Sequence, residues 1–436
     1  MLTPPKGYSI KDLQRQQYDW RTDKRKVVDD FQVNEDPTRK SNQWSPAVAA
    51  DEKGNSIVVW EDWRNDNRDI YAQILDVNGK KIDANFIIND DRNEASQKNA
   101  DVIATKDGSY LIIWRDDRNG NNDIYAQKIT ATGQPIGQNF RVHESNSAEQ
   151  INPSVAQSSD GSFFVVWEDW RNGNIDIFGC KLPPNGKLAG HSSKINSDFS
   201  GKDQTSPKVA FDAIGRGIVT WRDFRHQKSV YDGADIYAQR IGKTSAPVGE
   251  NFMVNENDNG KFDQCNPNLS VSDHGEVFIV WRDNRNGNLD IHGQIYHANG
   301  VKSGVNILIN DDDSKRAQRH PSVCINGRGE FMVVWADRRS ENFDIYGQCF
   351  TVDGQRIEKN FRINDGFGSP AIQSEPVVAC DLSGNLLLSW IDYRYMSKDQ
   401  KTDVFAQRGY FDNLLDLGEN KKPATPATNL TTRQSN

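Results

Sequence analysis

The chain has 436 residues, a formal net charge of −8 and 36% hydrophobic residues. The acidic balance argues against general nucleic-acid binding, which a basic surface drives, and no apolar run approaches the ~20 residues of a membrane span. Low hydrophobic content with 33 glycines favours many short strands and turns over long buried helices.

The first thirty residues contain no apolar signal-peptide core and are read as an N-terminal extension. FQVN (31–34) follows, and then the first of seven similar units. In that unit, residues 46–50 read as strand a, 56–64 as strand b after a Gly turn, 69–75 as strand c and 86–89 as strand d. Two-residue alternation, β-branched residues and Asn-Gly turns support strands.

The motif W-x-D-x-R closes strand b in every unit: WEDWR (60–64), WRDDR (114–118), WEDWR (167–171), WRDFR (221–225), WRDNR (281–285), WADRR (335–339) and WIDYR (390–394). A Gly stands six residues before each Trp and a Gln seventeen before. A Pro stands fourteen before, or Ala100 in the second copy. Seven four-stranded units at about 54 residues predict an all-β fold, a single seven-bladed β-propeller. Strand-d sequences fall at 31–34, 86–89, 140–143, 193–196, 252–255, 307–310 and 361–364. One precedes the first Trp and none follows the last, so FQVN is expected to complete the last blade and spare the ring an open edge. The propeller then spans 31–418, between the extension 1–30 and a Pro/Thr/Asn-rich tail, 419–436, read as disordered or a linker.

Alternation puts Trp60, Asp62 and Arg64 on one face of strand b and Asp69, Tyr71 and Gln73 on one face of strand c. A tight turn at 66–67 would pair 64 with 69, 62 with 71 and 60 with 73, clamping Arg64 between Asp62 and Asp69. The corresponding triplets are Asp116, Arg118 and Asp123; Asp169, Arg171 and Asp176; Asp223, Arg225 and Asp235; Asp283, Arg285 and Asp290; Asp337, Arg339 and Asp344; Asp392, Arg394 and Asp403. Blades four and seven lengthen the b–c loop but keep Arg and Asp. The triplet is therefore expected to be a structural staple present in every blade, with the Trp in the core.

The consensus W-x-D-x-R-x-G-x-x-D-I-Y-A-Q resembles β-propeller repeats of secreted and surface proteins of bacteria, many without assigned function. The resemblance implies an extracellular or cell-surface location and is silent on activity.

Function is expected where the copies differ. Three residues after each Trp stand Trp63, Asp117, Trp170, Phe224, Asn284, Arg338 and Tyr393; near the start of strand a stand Trp44, His320 and Glu375. Flat aromatics among directed polar groups suit a sugar or peptide ligand, so Trp44, Trp63, Trp170, Phe224, His320, Arg338 and Tyr393 are the candidate binding residues. The alternative is that these aromatics fill the space between blades. The acidic tracts 88–94, 255–260 and 309–314 lack calcium-loop spacing and read as solvated turn acids. The five cysteines read as mostly buried thiols. No HExxH, GxSxG or P-loop sequence occurs, and no metal or cofactor is expected. The reading is a non-catalytic binding module for a glycan or protein partner on the b–c and d–a loop face. The alternatives are a polysaccharide lyase or glycoside hydrolase drawing on His226, Tyr231, His320 or Tyr393, and a structural subunit of a surface complex.

Overall fold

Each repeat forms one antiparallel four-stranded sheet in the computed structural model, which describes residues 29–36, 41–91, 94–144, 147–185, 191–229, 232–256, 260–312, 314–365, 371–395 and 401–411. Blade one runs through strands a (Gln43–Ala50), b (Ser56–Asp62), c (Asp69–Leu75) and d (Lys81–Ile87) in spatial order. Blades two to six repeat that order. The a strands touch their neighbours all round, and that of blade seven (Gln373–Cys380) touches that of blade one, so they form the inner ring. The tail and most of the extension lie outside the described residues, as does Tyr231.

The last sheet combines strands a, b (Asn385–Asp392) and c (Asp403–Tyr410) with Phe31–Gln32 from the chain start. Phe31 pairs with Ala406 and Gln32 with Phe405. Val33 is fully buried beside Val404 and Leu387. Closure therefore occurs as the strand-d phase requires. Asp30, counted with the extension, docks here too: it ion-pairs with Arg394, and its main-chain N–H donates to Asp365.

Apolar clusters fill the spaces between neighbouring sheets. All seven motif tryptophans are fully buried in them. The Gly before strand b sits in the a–b turn at positive φ. At Gly54, φ is 82° and an added Cβ would lie 2.7 Å from Val77, so the position suits glycine.

Three expectations need correction. In five blades strand d starts five residues before its expected four and ends at the second of them, as in Lys81–Ile87 against 86–89, and in blade three only Ser193–Lys194 pair. The b–c register is two residues off: Asp62 pairs with Asp69, Trp60 with Tyr71 and Val58 with Gln73. The reason is local. Asp62 turns its carboxylate onto the Arg64 main-chain N–H at 2.9 Å, which ends strand b at Asp62 and leaves a loop over 63–68. The third correction is the clamp. Arg64 gives Nε (2.9 Å) and a terminal nitrogen (2.6 Å) to Asp62 alone and lies 4.0 Å over the Tyr71 ring, while Trp60 Nε1 donates to the same carboxylate at 2.9 Å. Asp69 is held instead by the side-chain amides of Asn65 (2.6 Å) and Asn89 (2.8 Å).

In several blades the outer edge of the arginine reaches back to an acid after strand d of the preceding blade. Arg118 pairs with Asp90 and Asp91, Arg171 with Glu144, Arg285 with Glu256, and Arg339 with Asp311 and Asp312. Acids read as solvated turn residues thus tie blades together. In blade four, His226 replaces the loop asparagine and its Nδ1 lies 2.8 Å from Asp235, which gives this histidine a structural partner.

Candidate binding face at the channel mouth

Strand a carries one irregularity in every blade. Ser45, Asn99, Asn152, Ser206, Asn266, His320 and Glu375 all have φ between 50° and 57°, and the a–b register slips there. A non-glycine residue in this region is strained, and seven repetitions mark a built bulge. It lies near the b–c end of the innermost strand, so it shapes the channel mouth on that face.

The residue three after each Trp lies at the same end. Its main-chain N–H donates to the residue preceding the strand-a Gln: Trp63 to Asn42 O (3.2 Å), Trp170 to Glu149 O (3.2 Å), Phe224 to Asp203 O (3.1 Å), Arg338 to Ala317 O (3.1 Å) and Tyr393 to Ile372 O (3.0 Å). Trp63 is 40% exposed, whereas the seven motif tryptophans are at 0%. Trp44, Trp170, Phe224, His320 and Tyr393 are half-buried and Arg338 is exposed. None of the candidate aromatics is a fully buried filler.

The candidates form separate groups around the mouth. Trp44 meets Trp63 edge to face at 5.9 Å; the Arg68 guanidinium lies 4.8 Å over Trp44 and 5.4 Å over Trp63, and pairs with Glu61 at 3.2 Å. Glu375 accepts from Ser45; burial, reinforced by the nearby Glu61 charge, raises its carboxyl above the usual range. Tyr393 is next to it, its hydroxyl raised by burial and by Glu375. On another arc, Arg222 lies 4.4 Å over Phe224 and pairs with Asp263 at 2.6 Å. Further round, Arg319 and Arg338 flank the Phe343 ring at 5.2 and 5.9 Å. Burial, with Arg282 and Arg319 alongside, pushes His320 down to about 4.

Sequence reading missed the position directly after the motif Trp: Glu61, Arg115, Glu168, Arg222, Arg282, Ala336 and Ile391. It faces the next blade, opposite to the Trp. Its signal was present, since it changes character from copy to copy within a rigid repeat. Among the described residues, no group of three or more His, Cys, Asp or Glu could hold a metal ion.

No family model matches the chain, and no curated protein matches it. Solved structures do. An ulvan lyase of the PL25 polysaccharide lyases, bound to a glucuronate–rhamnose 3-sulfate repeat, aligns with a TM-score of 0.56 at 9% identity, over 86% of this chain and 94% of that one. The polysaccharide lyase Uly1 aligns at 0.53 and 9% identity, over 88% and 99%. A protein of unknown function from Dyadobacter fermentans aligns at 0.51 and 9% identity, over 74% and 97%. At such identities the likeness is one of fold: a propeller architecture shared with polysaccharide lyases.

Proposed function

We propose that the protein is a secreted or surface-associated glycan-binding propeller. It holds a sugar chain at the b–c loop mouth of its channel, with Trp63 and Trp44 as the stacking platform and Arg68, Glu61 and neighbouring polar groups as the hydrogen-bonding rim. The observation that carries this reading is Trp63. An indole costs free energy in water and belongs in the core, as the seven motif tryptophans show. Here one is 40% exposed, braced by a second indole and a guanidinium. Such a rigid flat surface beside directed polar groups suits a pyranose face.

The test is binding of a panel of oligosaccharides to the full chain and to Trp63→Ala by calorimetry. A platform role predicts a loss of about 2 kcal/mol or more in binding with an unchanged melting temperature. Unchanged affinity would refute Trp63 as the platform, and a panel without a binder alongside stoichiometric co-purification of another protein would replace the glycan with a protein partner. A second reading, glycoside cleavage, draws on Glu375. A buried carboxyl raised by burial and by Glu61 has the character of a general acid. New reducing or unsaturated ends that vanish in Glu375→Gln would support it.

A further inference from the structure

Six of the seven bulges are finished in one of two ways; the seventh, at Glu375, faces Ala336. Glu61 accepts from the Asn99 main-chain N–H at 2.8 Å, Glu168 from that of Ser206 at 2.7 Å, and Glu375 from Ser45. These three seams between blades are capped by carboxylates. At three others the residue facing the next bulge is an arginine: Arg115 toward the Asn152 blade, Arg222 toward the Asn266 blade and Arg282 toward the His320 blade. Each leaves its Nε buried without a hydrogen-bond partner. Arg222 has Asp263 for compensation, and Arg115 lies in the field of Glu61, Asp117 and Glu149. Arg282 stands apart. Its side chain meets the Cys265 thiol opposite it on strand a, it and Arg319 both act on His320, and neither arginine has an ion pair among the described residues. His320 Nδ1 is also buried without a partner.

We infer that the seam between blades five and six is an anion subsite, in which Arg282, Arg319 and His320 receive a carboxylate or sulfate group of an acidic glycan. The assignment of a glycan rests on the function proposed above; the anion site itself does not. Chemically, the place lacks what the glutamates supply elsewhere, a pair of acceptor oxygens. Guanidinium donors match planar or tetrahedral oxyanions in a forked geometry. Phe343 supports the Arg319 and Arg338 planes from one side. His320, held neutral by burial and by the two arginines, has an unpartnered Nδ1 that donates to an anion in the Nδ1–H tautomer.

The experiment has two arms. In the first, oligogalacturonate, a sulfated galactan oligosaccharide and a neutral arabinan oligosaccharide are titrated into the full chain, Arg282→Gln and Arg319→Gln at low and high salt. We expect acidic chains to bind more tightly at low salt and to lose about tenfold or more in each variant, with neutral binding unchanged. The uronate or sulfate preference then names the source of the anion. In the second arm, the His320 ring resonance is followed against pH with inorganic sulfate and with glucuronate. An anion between the arginines should raise the His320 pKa. Arg319 is exposed, so its variant remains informative if Arg282→Gln does not fold. A His320 titration indifferent to both anions, or acidic affinity equal in wild type and Arg319→Gln, overturns the subsite. If sulfate moves His320 while glycans of every charge fail to bind, the subsite stands and the glycan reading falls. If neutral sugars bind through Trp63 with no anion effect, the reverse holds.

Discussion

The ring closure contains a titratable contact that the other blades avoid. The residue before the strand-d Phe (Ile307 in blade five) is Asn in five blades (Asn85, Asn139, Asn251, Asn306 and Asn360), whereas blade seven has Asp30. In blade two, the Asn139 amide oxygen accepts from Arg118 at 3.2 Å and its main-chain N–H donates to Asp90 at 3.1 Å. Asp30 keeps both contacts, with Arg394 and with Asp365, but brings a second carboxylate against Asp365. Burial and the hydrogen bond with Asp365 outweigh Arg394 and push its carboxyl from 3.8 up to about 6. A raised carboxyl binds more protons in the folded than in the unfolded chain between these values. Its contribution is fully present below pH 3.8 and is lost as pH rises through 6. The side chain is only 2% exposed, so the ionised form costs on the order of 3 kcal/mol as an upper bound. Asp30→Asn restores the arrangement of blade two. Guanidinium unfolding at pH 4 and pH 7.5 should give similar midpoints for both proteins at pH 4 and a more stable variant at pH 7.5. If Arg394 attraction dominates instead, the variant will be less stable at pH 7.5 and the gap will widen with pH, which refutes the reasoning.

Deleting residues 1–36 removes the closing strand, the buried Val33 and the Asn34 amide, which accepts from Val404 N–H and donates to Asp403 and Gln43. The cost should be on the order of 5 kcal/mol, against little change for deletion of 421–436; equal melting temperatures would contradict the closure. Arg171→Ala strips Asp169 of its bidentate partner and Glu144 of its cation and should cost about 3 kcal/mol in chemical unfolding. Asp176, held by Asn172, Asn196 and Lys194, should be unaffected. Against burial, hydrogen bonds from Ser192 and Arg171 hold the Glu144 carboxyl down to about 2. The stability it lends is therefore present above 4.5 and lost as pH falls toward 2, and Arg171→Ala should shrink that acid-side loss, as read by unfolding at pH 2.5 and pH 6.

The sequence alone determined the ring: seven Trp-x-Asp-x-Arg strands at one spacing, a strand-d sequence before the first and none after the last. Each of these is a local pattern with its own period, so it is readable without contacts. It also singled out Trp63, because an aromatic at a variable position of a rigid repeat stands out. The tertiary structure decided what local pattern cannot carry. Asp62 folding back onto the Arg64 main chain shifted the hairpin by two residues, a choice between side-chain and ladder hydrogen bonds of similar strength. The acids that Arg118, Arg171, Arg285 and Arg339 reach beyond their own Asp lie in a different blade, as do the bulges that Glu61 and Glu168 cap. Only the closed ring brings Arg282 toward His320, 38 residues on, and leaves Arg282 Nε and His320 Nδ1 buried without a hydrogen-bond partner.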